Sequence, residues 1–325
     1  MCMADKKELP LAMIEILIRY TDENHSLSTN ELRDILEQEY NLTLERRTLY
    51  ANMELLKKYG YDISTWQENG LGYYLRSHQF SKSEVFLLCN AIHSSHFISQ
   101  KESSQLIKKL LSTLSMYERK DYTDKVYLPN PKKTRNERLL TNLSLISDAI
   151  RDRNPIEFGY LRHNINKTLT SPRTYEVQPR YIVYQDSKAY LIVTSDHHEG
   201  FAHYRMDRIS DIRILKDKRF APLPKEMDAY EYSRNMFYMF NDEAVHAVLR
   251  CERRVLDHMI DTFGEEAMIL PADDDRFDIH VKGSRQGILL FAQQYIDAAV
   301  ILEPAELRSE MLDRLETAAS YYNGK

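Results

Sequence analysis

Three cysteines in 325 residues, Cys2, Cys89 and Cys251, are odd in number, far apart and in no CxxC pair. They exclude a disulfide framework and a cysteine zinc site, and they fit a reducing compartment. No apolar run approaches the roughly 18 residues of a membrane span. The opening "MCMADKKELP" lacks the apolar centre of a secretion signal. A cytoplasmic, membrane-free protein is expected. Missing as well are a GxxxxGK[ST] loop, a GxGxxG after a strand and a GxSxG elbow. "ADDDRFD" (272–278) has neither the glycine nor the distal glutamate of a calcium loop, so it reads as a solvated acidic turn. No carboxylate cluster stands beside a basic stretch. The expectation is a protein with no catalytic residues, no cofactor and no metal.

What is present is an uneven distribution of charge around a net −5. Residues 1–80 hold 9 Lys/Arg against 13 Asp/Glu, 81–150 hold 11 against 7, 151–220 hold 13 against 9, and 221–325 hold 11 against 20. The basic excess therefore sits in the middle, and the C-terminal stretch should repel nucleic acid.

In the first eighty residues, "LAMIEILIRY" carries Met13, Ile14, Leu17 and Ile18 on one helical stripe. "SLSTNELRDILEQEY" offers Ser28 or Thr29 as a helix cap, with Leu32, Ile35 and Leu36 as the buried face. "LERRTLYANMELLKKYG" has the stripe Leu49, Met53 and Leu56, ends at Gly60, and turns Arg47, Ala51, Glu54 and Lys58 outward. "YDISTWQENGLGYYLR" alternates like a hairpin around Asn69-Gly70. Three helices and a hairpin predict a winged helix-turn-helix, although a trihelical protein-interaction module shares part of the pattern. The third helix would enter the major groove through Arg46, Arg47, Thr48 and Tyr50. Thr43 would cap it, and Asn69 would reach DNA from the hairpin tip. The acidic balance predicts modest DNA affinity, because Lys/Arg supply most of the nonspecific attraction to phosphate.

Residues 80–114 read as two helices broken near 99–104, 118–137 as a polar linker, and 138–154 as an amphipathic helix through Leu139, Leu143, Ile146 and Ile150. Four β-rich runs follow, at the spacing of a small barrel or meander: "IEFGYL", "YEVQPRYIVYQ", "KAYLIVTSD" and "FAHYRMDRISDIRIL". As a single strand, the last would put Tyr204 and Met206 on one face and Arg205, Asp207 and Ile209 on the other. The final ninety residues alternate strands with helices, as in a small α/β sandwich. The fold class expected is thus multidomain α+β. It comprises a winged helix-turn-helix (1–80), a helical linker region (81–153), a small Sm/SH3-like β-barrel (154–220) and a C-terminal α/β extension (221–325).

"RRTLYANMELLKKYG", "IEFGY", "EVQPRYIVY", "YRMDRI" and "DAAVILEPAELRSEMLDRL" together resemble the WYL-domain family of bacterial transcriptional regulators. The tripeptide that names the family reads Ala189-Tyr190-Leu191 here, without the tryptophan. The resemblance implies a ligand-responsive DNA-binding regulator, homodimeric on a double-stranded operator. Its barrel would sense a nucleotide or single-stranded nucleic acid through Tyr160, Arg180, Tyr190, His203, Arg205 and Arg208. Arginine suits phosphate because its planar fork donates paired hydrogen bonds, and aromatic rings stack on bases. Arg205 and Arg208 can also be barrel residues held by carboxylates, Arg208 by Asp207 for example. An alternative reading is a nucleic-acid-binding accessory protein that modulates another effector, with the helix-turn-helix as an interaction module.

Overall fold

The computed structural model describes residues 8–76, 78–125, 132–162, 164–166, 170, 173–185, 187–223, 242 and 244–324. It divides into two compact bodies, 1–139 and 140–325. Helices at the N-terminus and several sheets make a mixed α+β protein. Among the described residues no helix is long and apolar enough to cross a membrane.

The first body begins with α1 (Leu9–Tyr20), α2 (Thr29–Tyr40) and α3 (Arg46–Lys58). Their stripes meet in a core of Leu9, Met13, Leu17, Leu32, Leu36, Leu49, Met53 and Leu56, all buried. Ser28 caps α2 through a reciprocal pair: its hydroxyl accepts from the Glu31 N–H, and the Glu31 carboxylate accepts from the Ser28 N–H. Thr43 does not cap α3. Glu45 holds that position, without a side-chain bond, and Thr43 is an exposed residue two positions earlier.

Strands β1 (Ile63–Ser64) and β2 (Tyr74–Leu75) pair antiparallel and close the bottom of this core with Ile63, Tyr73 and Leu75. Their connection is not the tight Asn-Gly turn expected. Thr65 and Glu68 form a second capping box that commits the chain to a helical turn, α4 (Trp66–Asn69), which Gly70 ends at φ 70°.

Helices α5 (Lys82–Ser94), α6 (Gln100–Leu111) and α7 (Met116–Lys125) complete the body around Val85, Cys89, Leu114 and Tyr122. The break between the first two lies at 95–99 and not at the expected 99–104, because Ser99 caps α6 by accepting from the Glu102 N–H and residues 100–104 are already helical. Helix α7 occupies what reads as polar linker in the sequence. Ser115 and Glu118 cap it reciprocally, and Tyr122 turns inward against Phe86. The rest of that predicted linker lies partly outside the described residues, at 126–131.

All of α8 (Leu139–Asp152) but its first residue belongs to the second body, where its Asn142 amide donates to the Ile209 carbonyl. A five-stranded antiparallel sheet follows, in the order β6-β5-β4-β3-β7. Its strands are β3 (Ile156–Tyr160), β4 (Arg173–Gln185), β5 (Lys188–Ser195), β6 (His198–Arg205) and β7 (Ile209–Ile214). "HYRMDRISDIRIL" is therefore two strands rather than one. A 3-10 turn at Met206–Arg208 separates them, and its Met206 is fully buried. Strands β6 and β7 are the two edges of the sheet, yet only three residues join them. The sheet must curl until its edges approach at this turn, where the Leu161 N–H donates to the Arg208 carbonyl at 2.9 Å and continues the β3–β7 pairing beyond Tyr160 and Ile209.

A second, four-stranded sheet has the order β11-β8-β10-β9. Its strands are β8 (Ala244–Glu252), β9 (Met268–Pro271), β10 (Arg276–Ser284) and β11 (Ala299–Glu303). Helices α9 (Leu256–Phe263), α10 (Arg285–Gln294) and α11 (Ala305–Tyr322) alternate with them. The core sits on one face, where Leu249, Cys251, Ile279 and Val281 meet Ile288, Phe291 and Leu307. The alternation expected from sequence is present, with the short edge strand β9 added.

Candidate functional site

Helix α3 turns Leu49, Met53 and Leu56 inward, and this leaves Arg46, Arg47 and Tyr50 exposed along its first two turns. Arg46 donates to the Asn30 side chain at 3.1 Å, which steadies it beside the start of α2. Thr48 is half-buried and fits between the two faces. Asn69 has a different task from the one expected. Its carboxamide oxygen accepts from the Leu71 and Gly72 N–H groups at 2.6 and 2.9 Å, and its nitrogen donates to Ser64 Oγ and the Gly72 carbonyl, both at 2.8 Å. The side chain braces the β1–β2 connection, and its hydrogen-bonding capacity is spent there.

In the second body, strand register divides the predicted ligand residues between two faces. Tyr190 pairs with Arg205 and Ile192 with His203, so these four share one face of the β5–β6 ribbon. Leu191 pairs with Tyr204 on the other face. There Tyr204 meets Phe158, Tyr160 and Tyr175 with ring centroids 5.0–5.1 Å away. Tyr160 therefore packs its ring in the aromatic cluster. Its hydroxyl accepts from the Arg205 N–H at 3.2 Å, and both Tyr160 and Tyr190 lie within electrostatic reach of the Arg205 guanidinium.

Each predicted arginine has a distinct environment. Arg205 grips Asp207 with both arms of its fork, Nε to Oδ1 at 3.0 Å and NH2 to Oδ2 at 2.8 Å. Arg180 donates to Thr194 Oγ1, the Ala221 carbonyl and Gln178 Oε1, and its guanidinium lies 4.4 Å from the Phe220 ring centroid. Burial lowers its pKa from the ordinary arginine value. Arg208 is half-buried, and its Nε is enclosed without a hydrogen bond.

Sequence reasoning passed over the cluster's other members. Phe158 pairs with Tyr175, and Tyr160 with Arg173, across β3 and β4. The Arg173 guanidinium lies 5.3 Å from the Tyr175 ring centroid. Burial pushes the Tyr204 phenol up to about 12, helped by Tyr175 and Tyr160 and opposed by the charges of Arg173 and Arg162. Tyr204 is thus a neutral donor at any physiological pH, with two arginines within electrostatic reach. Half-buried tyrosine rings flanked by exposed arginines can stack on a planar group and hold a phosphate. The alternating "RTYEV" beside "IEFGY" carried the signal, but only the register shows which rings meet.

A separate cavity of about 540 Å³ lies between Glu176, Gln178, Asp196, His197, Lys218 and Arg219. Within it Lys218 donates to Glu176, Gln178 to Asp196, and Arg219 to the Lys216 and Lys218 carbonyls. None of the residues selected from sequence lines it. Among the described residues no group of three or more His, Cys, Asp or Glu could hold a metal ion.

The family model described as "WYL domain" matches residues 141–214, which span α8 and the five-stranded sheet. This chain carries a WYL domain. Among solved structures, proteasome accessory factor B/C (PafBC) of Arthrobacter aurescens is similar at 16% identity and a TM-score of 0.28, over 97% of this chain and 47% of that one. The chain thus spans about half the length of that protein. A CRISPR Cas-related protein is similar at 16% identity and a TM-score of 0.36, over 74% of this chain and 72% of the other. No curated protein matches. Both the Arg205–Asp207 pair and the tyrosine cluster belong to the WYL segment, so the site lies in the part of the chain that the family accounts for.

Proposed function

We propose that the protein is a DNA-binding transcriptional regulator whose WYL domain senses a nucleotide or short single-stranded nucleic acid. The α1–α3 trio with β1–β2 acts as a winged helix-turn-helix, and α3 is its recognition helix. The curled five-stranded sheet acts as a small barrel and the sensor. The observation that carries the reading is the exposure of Arg46, Arg47 and Tyr50 on the outer face of α3, opposite a fully buried stripe. An exposed basic helix start backed by a rigid core is what major-groove docking requires. The reading includes no catalytic step and no cofactor. It includes a homodimer, since one such helix on an acidic domain offers few phosphate contacts and cyclic dimers are the commonest symmetric assembly.

On the sensor side, the reading moves the ligand from the Arg205 face to Tyr160, Tyr175 and Tyr204, with Arg173 and Arg162 supplying positive charge. Binding there changes DNA affinity only if the ligand prefers one of two states of the protein. The test is a mobility shift on the DNA upstream of the protein's own gene, run over a salt series with and without short oligonucleotides. Arg47→Ala should weaken binding by about 1–3 kcal/mol if the arginine reads a base, or reduce the salt slope by about one if it holds a phosphate. Unchanged affinity and slope in a folded variant would remove α3 from the interface.

A further inference from the structure

The β8–β11 sheet packs its helices on one face. Leu249, Cys251, Ile279 and Val281 point into the core under α9–α11, so the residues between them point the other way. That second face is open. Met268, Leu270 and Val300 on its flanks are 58%, 49% and 53% exposed, at positions where a solvated antiparallel sheet carries polar side chains. Exposed beside them are His246 and Glu252 on β8, and Arg276, His280 and Lys282 on β10.

Strand register sets these side chains in rows. One row runs Val300, Arg250, Asp278, Leu270 across β11, β8, β10 and β9, and the next runs Glu303, Val248, His280, Met268. Beyond them, on β8 and β10 alone, Glu252 stands opposite Arg276 at one rim and His246 opposite Lys282 at the other. Arg250 holds Asp278 with both arms of its fork, Nε to Oδ1 at 2.8 Å and NH2 to Oδ2 at 2.9 Å. The face thus carries Arg250, Arg276 and Lys282 against Glu252, Asp278 and Glu303, a neutral balance in the stretch where acidic residues outnumber basic ones by 20 to 11.

We propose that this open face is the interface between two copies of the chain, related by a two-fold axis that runs along the strands between β8 and β10. This rests on the homodimer of the reading above and assigns its surface. Such an axis lays β8 of one copy over β10 of the other, and β11 over β9. Arg250 then faces the partner's Asp278, Glu252 the partner's Arg276 and Val300 the partner's Leu270, and symmetry makes each contact twice. The two Arg250–Asp278 pairs become a ring of four alternating charges. Glu252 and Arg276 now hold Arg254 and Asp273 of their own chain, exposed pairs that exchange at little cost. Only the His246–Lys282 rim meets no opposite charge, and it lies where two strands alone extend into water. Aligned sheets pack about 10 Å apart with strands within about 30° of each other, which lets arginine and aspartate meet. Two copies hide on the order of 1,000 Å², the lower bound of a specific interface and the size of a reversible one. A second copy is favoured over another partner because opposite charges stand at equivalent places on either side of the axis, the condition for a surface to complement itself.

Sedimentation velocity of the full-length chain over a concentration series measures the association, and the parent should dimerise. Glu252→Arg makes its rim row entirely positive, and Arg276→Glu makes the same row entirely negative. Each variant alone should dissociate roughly tenfold or more readily, because like charges then face each other across the axis. Mixed one to one, the two variants should associate with each other about as the parent does with itself, since a positive row then meets a negative one. That rescue separates a lost interface from a damaged fold. Leu270→Lys should weaken the parent dimer as well. A dimer that all three substitutions leave intact overturns this interface and keeps the homodimer, and charge variants that dissociate without rescuing each other overturn it too. A parent chain that stays monomeric at the highest concentration reached, with and without DNA, removes the homodimer and its interface together.

Discussion

Arg205 and Asp207 face each other across one residue, Met206, joined by two hydrogen bonds of 3.0 and 2.8 Å, with side-chain exposures of 29% and 11%. The pair bridges the end of β6 and the 3-10 turn that leads to the opposite edge of the sheet. It therefore holds the corner on which the curl of the sheet depends. Arg205→Ala would remove both of these charge-assisted bonds from a largely enclosed carboxylate, at a cost of about 1–3 kcal/mol. Amides of β6 and β7 should then exchange faster with solvent. Unchanged protection would mean that the corner is held by the buried Met206 and the backbone bonds of Arg205 and Arg208, without the ion pair.

The tyrosine cluster makes the opposite kind of prediction. Tyr175 touches Phe158, Tyr160 and Tyr204 at 5.0–6.3 Å and carries the Arg173 guanidinium on its ring. If it stacks on a base, Tyr175→Ala should weaken binding of a labelled short single-stranded oligonucleotide by about 1–3 kcal/mol. Tyr175→Phe should bind nearly as the parent does. Equal affinity of all three proteins in an anisotropy titration would place the ligand elsewhere.

What the sequence discloses about this protein is mostly local. The cap at Ser28, one of the two residues offered, the Leu49/Met53/Leu56 stripe and the strand–helix alternation after residue 243 depend on residues a few positions apart, and each is present. The "NG" dipeptide misled because Thr65, four residues before Asn69, and Glu68, directly before it, favour a helical turn more strongly than Asn69-Gly70 favours a tight one. The split of the ligand residues between two faces was illegible for a different reason. It depends on the register of β5 against β6 and on the turn at Met206, neither of which a period-two pattern specifies. Arg180 looked available because its acceptors, Thr194, Gln178 and the Ala221 carbonyl, come from three separate segments.

Gly72 and Gly70 should respond differently to the same change. At Gly72 an added Cβ meets the Leu27 carbonyl oxygen at 2.5 Å, and backbone on both sides prevents escape. Gly72→Ala should cost about 1–3 kcal/mol through overpacking. Gly70 has open space but a left-handed backbone at φ 70°, so Gly70→Ala should cost only about 1 kcal/mol. Urea unfolding followed by Trp66 fluorescence reports the first body alone and ranks the two. A Gly72 variant as stable as the parent would mean that the Leu27–Tyr73 bridge can open without loss.

Asp22 offers a pH test of the first body. It is 5% exposed, and burial alone would raise its pKa. Hydrogen bonds from Ser115 Oγ at 2.6 Å, His25 Nδ1 at 2.7 Å and the Asn24 N–H at 2.9 Å outweigh burial and hold the carboxyl below the usual aspartate value. A carboxylate whose pKa is depressed by folding contributes stability above its unfolded value, and that contribution is lost as pH falls through the folded value. Ser115→Ala removes one of the donors to the charged form, a bond of the kind that contributes about 1.5–3 kcal/mol. The gap between parent and variant should be widest near neutrality and should narrow below about pH 4, as Asp22 takes up a proton in both proteins. Urea midpoints read at Trp66 across that range measure the gap directly. A gap that stays constant with pH would show that Ser115 stabilises the fold by packing and helix capping, with no part played by the Asp22 charge.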